Sequence, residues 1–591
     1  MDAVLEDPAR LASDWLERLQ IALSHSSSER LEDLFLSDGY WRDALALTWS
    51  LQTFIDGTTI ADHLWSSVKA AGLASLRLDL SAPAPQHVER VGRSCVEAFF
   101  TLETTAGLGR GIVRLIVEGD QASKAWTLLT ALEGLKGHEE TIGADRPIGQ
   151  SYSRDFRGPN WLDGRLASQA YADRDPTVLV VGGGQAGLSI AARLTQLGVD
   201  TLIIDRHERI GDNWRKRYHA LTLHNQVHVN HLPYMPFPPN WPVYIPKDKL
   251  ANWFEFYVEA MELNFWTGNE LVEAVYDDAS GTWSAALRRA DGSVDTLHPR
   301  HIVMASGVSG IPNRPELPGL GGFRGEIVHS NRYGDGERWR GKSAVVIGTG
   351  NSGHDIAQDL ASSGADVTLV QRSSTLIVSI EPSAQLPYVL YDGSRSLEDT
   401  DLIAVSMPMP LMREAHVGYT KRSRELDADL LAKLEAIGFK LDPPEDHAGW
   451  QFKYLTRGGG YYFNVGCSDM LIEGRIKLLQ FSTIDSFTRS GLCLKDGGAM
   501  SADLIVLATG YKPQEDLVEN VFGTEVKERV GPIWGFGDEL ELRNMYNRTG
   551  QPGLWFIAGS FAQCRINSKF LALQIKACEE GMIPLEKPCQ N

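Results

Sequence analysis

Two short glycine runs constrain this chain more than any other feature. Gly182-Gly183-Gly184-Gln185-Ala186-Gly187 and Gly348-Thr349-Gly350-Asn351-Ser352-Gly353 both read G-x-G-x-x-G. With 57 glycines in 591 positions, a bare match arises by chance in about every second chain of this kind, so the flanking sequence decides. Val178-Leu179-Val180-Val181 precedes the first run and Ala344-Val345-Val346-Ile347 the second, and helix-compatible stretches (Leu188 to Leu197, Asp355 to Leu360) follow them. Strand, glycine turn and helix together let backbone N–H groups approach a pyrophosphate at a helix N-terminus, because glycine has no Cβ to hold the ligand off.

The residue that reads the ribose ends the next strand, about 20 positions beyond the first glycine. Thr201-Leu202-Ile203-Ile204 ends at Asp205, 23 residues past Gly182, with Arg206 after it. A carboxylate there accepts from ribose hydroxyls and repels a 2′-phosphate. Val367-Thr368-Leu369-Val370 ends at Gln371, at the same 23-residue offset from Gly348, with Arg372 and Ser373 after it, a neutral-to-basic set suited to a 2′-phosphate. The expected fold is therefore α/β, with two Rossmann-like dinucleotide-binding domains, the first suited to FAD or NAD and the second to NADPH better than NADH, a pairing that suggests a flavin placed to receive hydride from NADPH. No Cys-x-x-Cys lies between the cradles, so electrons leave the flavin for something other than a thiol, and molecular oxygen is the obvious acceptor.

Composition removes other classes. Subtracting 76 acidic from 57 basic side chains leaves −19, which opposes attraction to nucleic acid or anionic lipid. The six scattered cysteines form neither a zinc knuckle nor a redox pair, a usage that fits a reduced, cytoplasmic compartment. No stretch approaches the ~20 apolar residues of a membrane span.

Texture divides the chain. Residues 1–145 open with an amphipathic helix (Leu11, Trp15, Leu16, Leu19, Leu23) and continue with alternating strands around 95–102, 110–117 and 124–131. Residues 146–176 read as a polar, turn-rich linker. Residues 177–330 read as the first part of an FAD-binding domain and 331–500 as an NADPH-binding domain, with an insertion near 380–460 beside the substrate. Residues 501–591 then return to the FAD domain.

From about 176 to 580 the chain resembles the flavin-containing monooxygenases, and among them the plant indole-3-pyruvate monooxygenases. Phe323-Arg324-Gly325-Glu326-Ile327-Val328-His329-Ser330-Asn331-Arg332-Tyr333 fits the family fingerprint F-x-G-x-x-x-H-x-x-x-[FY]. Tyr333 in the last place points to the amine- and sulfide-oxygenating branch. Met304-Ala305-Ser306-Gly307 and Leu507-Ala508-Thr509-Gly510-Tyr511 resemble the two A-T-G hinges, the first with Ser in place of Thr. Gly211-Asp212-Asn213-Trp214 resembles the G-x-x-W turn near the flavin, and Leu223-His224 begins a plant-type segment. Ile557-Ala558-Gly559-Ser560-Phe561 looks like the returning strand before a helix that faces the flavin pyrimidine. The first 145 residues lie outside that family; Trp41 to Trp49 and the helix-then-sheet order resemble the NTF2-like cone, in which Asp43 and His63 are the candidates for acid–base work.

The resemblance implies a small-molecule substrate and O2 as partners, and a C4a-hydroperoxyflavin as the oxygen donor. Its site residues would be Asn225 beside the flavin, His329 at the hinge, and a cofactor set of Asn213, Trp214, His224, Ala508, Thr509, Gly510 and Gly559 with the two cradles. N- or S-oxygenation is the first expectation. Baeyer–Villiger chemistry or oxidative decarboxylation of a 2-oxo acid is the second, and a non-oxygenating redox sensor the third. The cone either covers the active site or forms a homodimer.

Overall fold

The β-branched strands that flank the glycine runs do assemble into parallel sheets. The computed structural model describes residues 7–25, 28–117, 122–147, 157–308, 310–443 and 448–587. Of the expected linker, residues 148–156 lie outside the described residues.

Val178–Val181, Thr201–Asp205 and Asn264–Thr267 pair in parallel on one side, and His301–Met304 with Leu554–Phe556 on the other, giving a five-stranded sheet. A second five-stranded parallel sheet runs Glu326–His329, Leu504–Leu507, Ser343–Ile347, Asp366–Gln371, Ile476–Gln480. Both are covered on their faces, which is why the middles of their strands are apolar and the polar residues gather toward the strand ends. The expected boundaries at 330 and 500 need correction. Glu326–His329 and Leu504–Leu507 hydrogen-bond to each other inside the second sheet, so the crossings lie near 324 and 510. An apolar strand carries no mark of the sheet it will join, which only pairing reveals.

The N-terminal residues form a seven-stranded sheet. Arg93–Glu103, Gly107–Ile116 and Lys124–Leu135 are antiparallel neighbours, while Phe35–Ala44 joins the last of them in parallel. The helix Pro8–Leu23 starts on an Asp7 cap with proline at its first position and buries Leu11, Trp15, Leu16 and Leu19 against the sheet. This unit and the first parallel sheet share one continuous apolar core, whereas the second sheet has separate cores on its two faces. Asp43 is fully buried and accepts from the Thr130 and Thr48 hydroxyls at 2.5 and 2.7 Å and from the Thr48 N–H at 2.9 Å. Burial lifts its carboxyl to about 6 against those bonds. The Asp43 carboxylate therefore ties down a turn, and His63 stacks on Phe54 at 4.6 Å.

The segment 380–460 is mostly helical, with Leu397–Val405, Met409–Leu426, Ala428–Ala436 and Gly449–Arg457. No helix among the described residues is long and apolar enough to cross a membrane.

Candidate active site

The first cradle is set by glycine geometry. Gly182 has φ +115°, and a Cβ on Gly187 would lie 1.9 Å from the Gly182 carbonyl oxygen. The helix Gln185–Gln196 begins at once, so its first N–H groups open toward a cleft of about 540 Å³. Asp205 closes one end: its carboxylate accepts from the Gly183 N–H at 2.8 Å and from the His207 N–H and ring at 2.9 and 2.7 Å. Burial raises Asp205, but these hydrogen bonds outweigh it and hold the carboxyl below its ordinary value. Gly182, Gly184, Gln185, Ala186, Arg206, Asn213, Trp214 and Gly559 line the same cleft, as do Ala305, Ser306 and Gly307. On its walls the Asn213 side-chain oxygen, the Trp214 indole N–H and the Ser306 hydroxyl are buried with no partner among the described residues.

The second cradle repeats that backbone. Gly348 has φ +117°, and a Cβ on Gly353 would meet the Gly348 oxygen at 1.9 Å. The helix Asn351–Ser362 starts after Gly350. The Thr349 hydroxyl pairs with Thr375 at 2.6 Å, and Asn351 accepts from the Phe463 N–H at 2.9 Å. Ser352 is partly exposed in the first turn, and Arg372 and Ser373 are exposed.

Gln371 departs from expectation. It is fully buried, and its amide exchanges two hydrogen bonds with the backbone of Lys440, at 2.9 and 2.8 Å. Its side chain is spent on a loop 69 residues away, so it is not the ribose reader the strand offset predicted.

Beside Gly559 a second cavity of about 210 Å³ adjoins the cleft, sharing Gln185, Trp214 and Tyr454 with it. Its wall holds Tyr388, Trp450, Tyr461, Phe463 and Phe561, with Asn225, Asn230, Asn351, Gln451 and Gln563 as neutral polar groups. His224 is the one imidazole there; burial pushes it down to about 4, so it is neutral. Among the described residues that line this cavity there is no Lys, Arg, Asp or Glu. The Asn225 amide donates to the Tyr388 hydroxyl at 3.2 Å. Ser560 and Gln563 form a reciprocal cap on the helix Phe561–Glu579, whose N-terminus faces the cavity.

His329 lines neither cavity. Its Nε2–H donates to the Gly510 carbonyl at 3.0 Å and its Nδ1 accepts from the Asn331 N–H at 3.3 Å. Burial lowers its affinity for a proton. Both ring nitrogens are engaged by backbone groups of the hinge, and neither faces the cleft or the smaller cavity. Ala508, Thr509 and Gly510 likewise lie behind the second cradle, with the Thr509 hydroxyl on the Asn313 carbonyl at 2.5 Å. The aromatic wall from the insertion was invisible residue by residue; its only signal was the run of rings at Trp450, Phe452, Tyr454, Tyr461, Tyr462 and Phe463.

Residues 179–392 match the pyridine nucleotide-disulphide oxidoreductase family. The chain is 31% identical over 353 residues to indole-3-pyruvate monooxygenase YUCCA1 of Oryza sativa subsp. japonica, covering 59% of this chain and 80% of that one. It is 29% identical to the probable indole-3-pyruvate monooxygenase YUCCA9 of Arabidopsis thaliana, over 64% of this chain and 81% of the relative. In fold it is similar to the NADP+-bound cyclohexanone monooxygenase of Rhodococcus sp. Phi1, with a TM-score of 0.51 at 18% identity over 68% of this chain and 85% of that one. Two glycine cradles and a relative of this closeness lead to one conclusion: the chain belongs to the class B flavin monooxygenases, oxidoreductases that use FAD and NADPH.

Proposed function

We propose that this monooxygenase transfers one oxygen atom from O2 to the nitrogen or sulfur of a small, uncharged aromatic substrate held in the 210 Å³ cavity. FAD fits the first cradle, where Asp205 meets a ribose and the buried, unpartnered groups of Asn213, Trp214 and Ser306 await polar atoms. NADPH fits the second, with Arg372 the cation for its 2′-phosphate. Bound together there, the two cofactors supply a reduced flavin that activates O2 for single-atom transfer.

The observation that carries the reading is the wall of the smaller cavity. Aromatic rings and neutral amides favour a flat apolar substrate. A carboxylate would be desolvated there without a cation, at a cost of several kcal/mol. The plant relatives are named for a 2-oxo acid, and this wall gives such an acid no counter-charge. Apart from the helix N-terminus at Ser560, the cavity wall offers an anionic oxygen no counter-charge either, which favours electrophilic transfer to a soft nucleophile over attack on a carbonyl.

Asn225, whose amide donates to the Tyr388 hydroxyl at 3.2 Å, would be the residue to hold the oxygen being transferred. The N-terminus of the helix Phe561–Glu579 faces the cavity beside the first cradle, where its N–H groups would favour negative charge on a bound flavin. The described residues among 1–145 take the cone of the NTF2-like proteins, a reading supported by the order of helix and sheet, and Asp43 is occupied there by hydrogen bonds to Thr130, Leu47 and Thr48.

The test is NADPH and O2 consumption by the FAD-loaded protein with methyl phenyl sulfide, N,N-dimethylaniline, indole-3-pyruvate and cyclohexanone, with products identified by mass. Sulfoxide or N-oxide formed in proportion to NADPH is expected. Product from the 2-oxo acid or the ketone alone, or hydrogen peroxide with all four, overturns it.

A further inference from the structure

The buried pair Arg565–Asp401 belongs to neither cradle, yet its hydrogen bonds lead to the loop that carries Asn225 and Asn230. Arg565, 3% exposed, lies early in the helix Phe561–Glu579. Its guanidinium holds both Asp401 oxygens at 2.8 and 2.7 Å, and its Nη1 donates to the carbonyls of Val229 and His231, each at 2.8 Å. A rigid planar fork of this kind fixes all its acceptors at once. Between the two carbonyls sits Asn230, whose amide donates to the carbonyls of Asn225 and Gln226 at 2.8 and 3.2 Å.

Asp401 is held from the other side. The Tyr391 hydroxyl donates to it at 2.8 Å. Its helix, Leu397–Val405, is gripped by the N-terminal sheet: Arg114, with no exposed surface, donates to the Ser406 hydroxyl at 2.7 Å, and Arg110 reaches Asp399 at 2.7 Å. Arg42 donates to the Val405 carbonyl at 2.5 Å while chelating Glu541. Leu36 and Trp126 of the sheet pack on Leu411. That face of the sheet is covered by the chain's own insertion.

We propose that Asp401 and Arg565 are positioning residues for oxygen transfer, and that the N-terminal sheet sets Asn225 in the cavity by fixing the helix that bears Asp401. The proposal rests on the reading of that cavity as the oxygenation site. Without the Asp401 charge the buried guanidinium loses its anion and reorients, releasing the carbonyls of Val229 and His231. The loop 223–232 then opens, water enters, and reducing equivalents escape as hydrogen peroxide.

The full-length, FAD-loaded protein and its Asp401→Asn, Asp401→Glu and Tyr391→Phe variants are compared with NADPH and methyl phenyl sulfide, alongside backbone amide exchange. For Asp401→Asn, NADPH oxidation stays within about 2-fold while sulfoxide per NADPH falls about 10-fold, the size of loss a small misplacement produces. Amides in 223–232 exchange about 10-fold faster, whereas those in 178–205 are unchanged. Asp401→Glu restores part of the yield. A lower melting temperature with unaltered yield, or exchange that quickens evenly across the chain, overturns the proposal. If Asp401→Asn does not fold, Tyr391→Phe, which keeps the charge pair, is expected to speed exchange at 223–232 about 2-fold, and no change there overturns it. Were wild type to form no sulfoxide, the substrate reading would fall, while the exchange comparison still decides this one.

Discussion

The two glycine cradles have one backbone and two different exits. Gly182 and Gly348 take φ of +115° and +117°, and each packs on a small-residue segment, with a Cβ 2.7 Å from the Ala305 oxygen in the first and 2.3 Å from the Ala508 oxygen in the second. Beyond that the likeness ends. Asp205 opens into the 540 Å³ cleft, whereas Gln371, at the same offset, is sealed under Lys440. A glycine pattern dictates how closely a backbone approaches phosphate; what the far end of the ligand meets depends on which loop folds over the strand.

The largest test of this likeness swaps the clash between cradles. Gly187→Ala and Gly353→Ala each place a Cβ 1.9 Å from a carbonyl, a misfit worth about 3 kcal/mol or roughly 100-fold in affinity. The first is expected to strip FAD, read as lost visible absorbance per protein. The second is expected to keep the colour and raise the KM for NADPH. The opposite assignment would reverse the cradles.

Next in size, Arg372→Ala is expected to lower kcat/KM with NADPH about 10- to 100-fold and leave NADH nearly unchanged, as for a lost charge-assisted hydrogen bond. Equal losses with both nucleotides would break the contrast at the exits.

Acid should separate the cradles as well. His354, in the first turn of the second cradle's helix, is stacked on Tyr462 at 3.9 Å, and burial pushes it down to about 4 from 6.5. A buried histidine lowered in this way supports the fold fully above pH 6.5 and loses that support as the pH falls toward 4, amounting to about 2 kcal/mol by pH 5. Asp205, held below its ordinary value, keeps its hydrogen bonds over the same range. Amides in 348–362 are therefore expected to lose exchange protection before those in 182–196, and His354→Gln should delay that loss.

The smallest effect concerns Gln371 itself. Gln371→Leu leaves the Lys440 backbone unpaired and is expected to cost about 1–2 kcal/mol of stability, read by denaturant titration, with nucleotide preference intact. A changed preference without destabilisation would restore the ribose reading.

Much of this contrast could be read before any coordinates. Strand, glycine turn, helix and the offset to Asp205 depend on neighbours within about 25 residues, and local sterics decide them. The membership of Glu326–His329 and Leu504–Leu507 in one sheet could not be read, because the pairing joins residues far apart in the chain and any apolar strand satisfies it. His329 stood out in a fingerprint, yet the letters give no sign of whether the ring faces a substrate, and in the fold it donates to the Gly510 carbonyl. Tyr388, Trp450 and Phe463 were unremarkable as letters and became a wall only when the insertion folded onto the cradle.

By itself the sequence determined where two pyrophosphates can be cradled and which strand end carries an acid, since φ, Cβ clashes and periodicity act locally. The tertiary structure alone decided that the described residues lining the cavity between them include no Lys, Arg, Asp or Glu, that Gln371 is a fastening, and that the N-terminal sheet grips the insertion through Arg114 and Arg42. The reason is physical: desolvation and hydrogen-bond satisfaction are properties of everything that surrounds a group, and most of what surrounds these groups arrives from elsewhere in the chain.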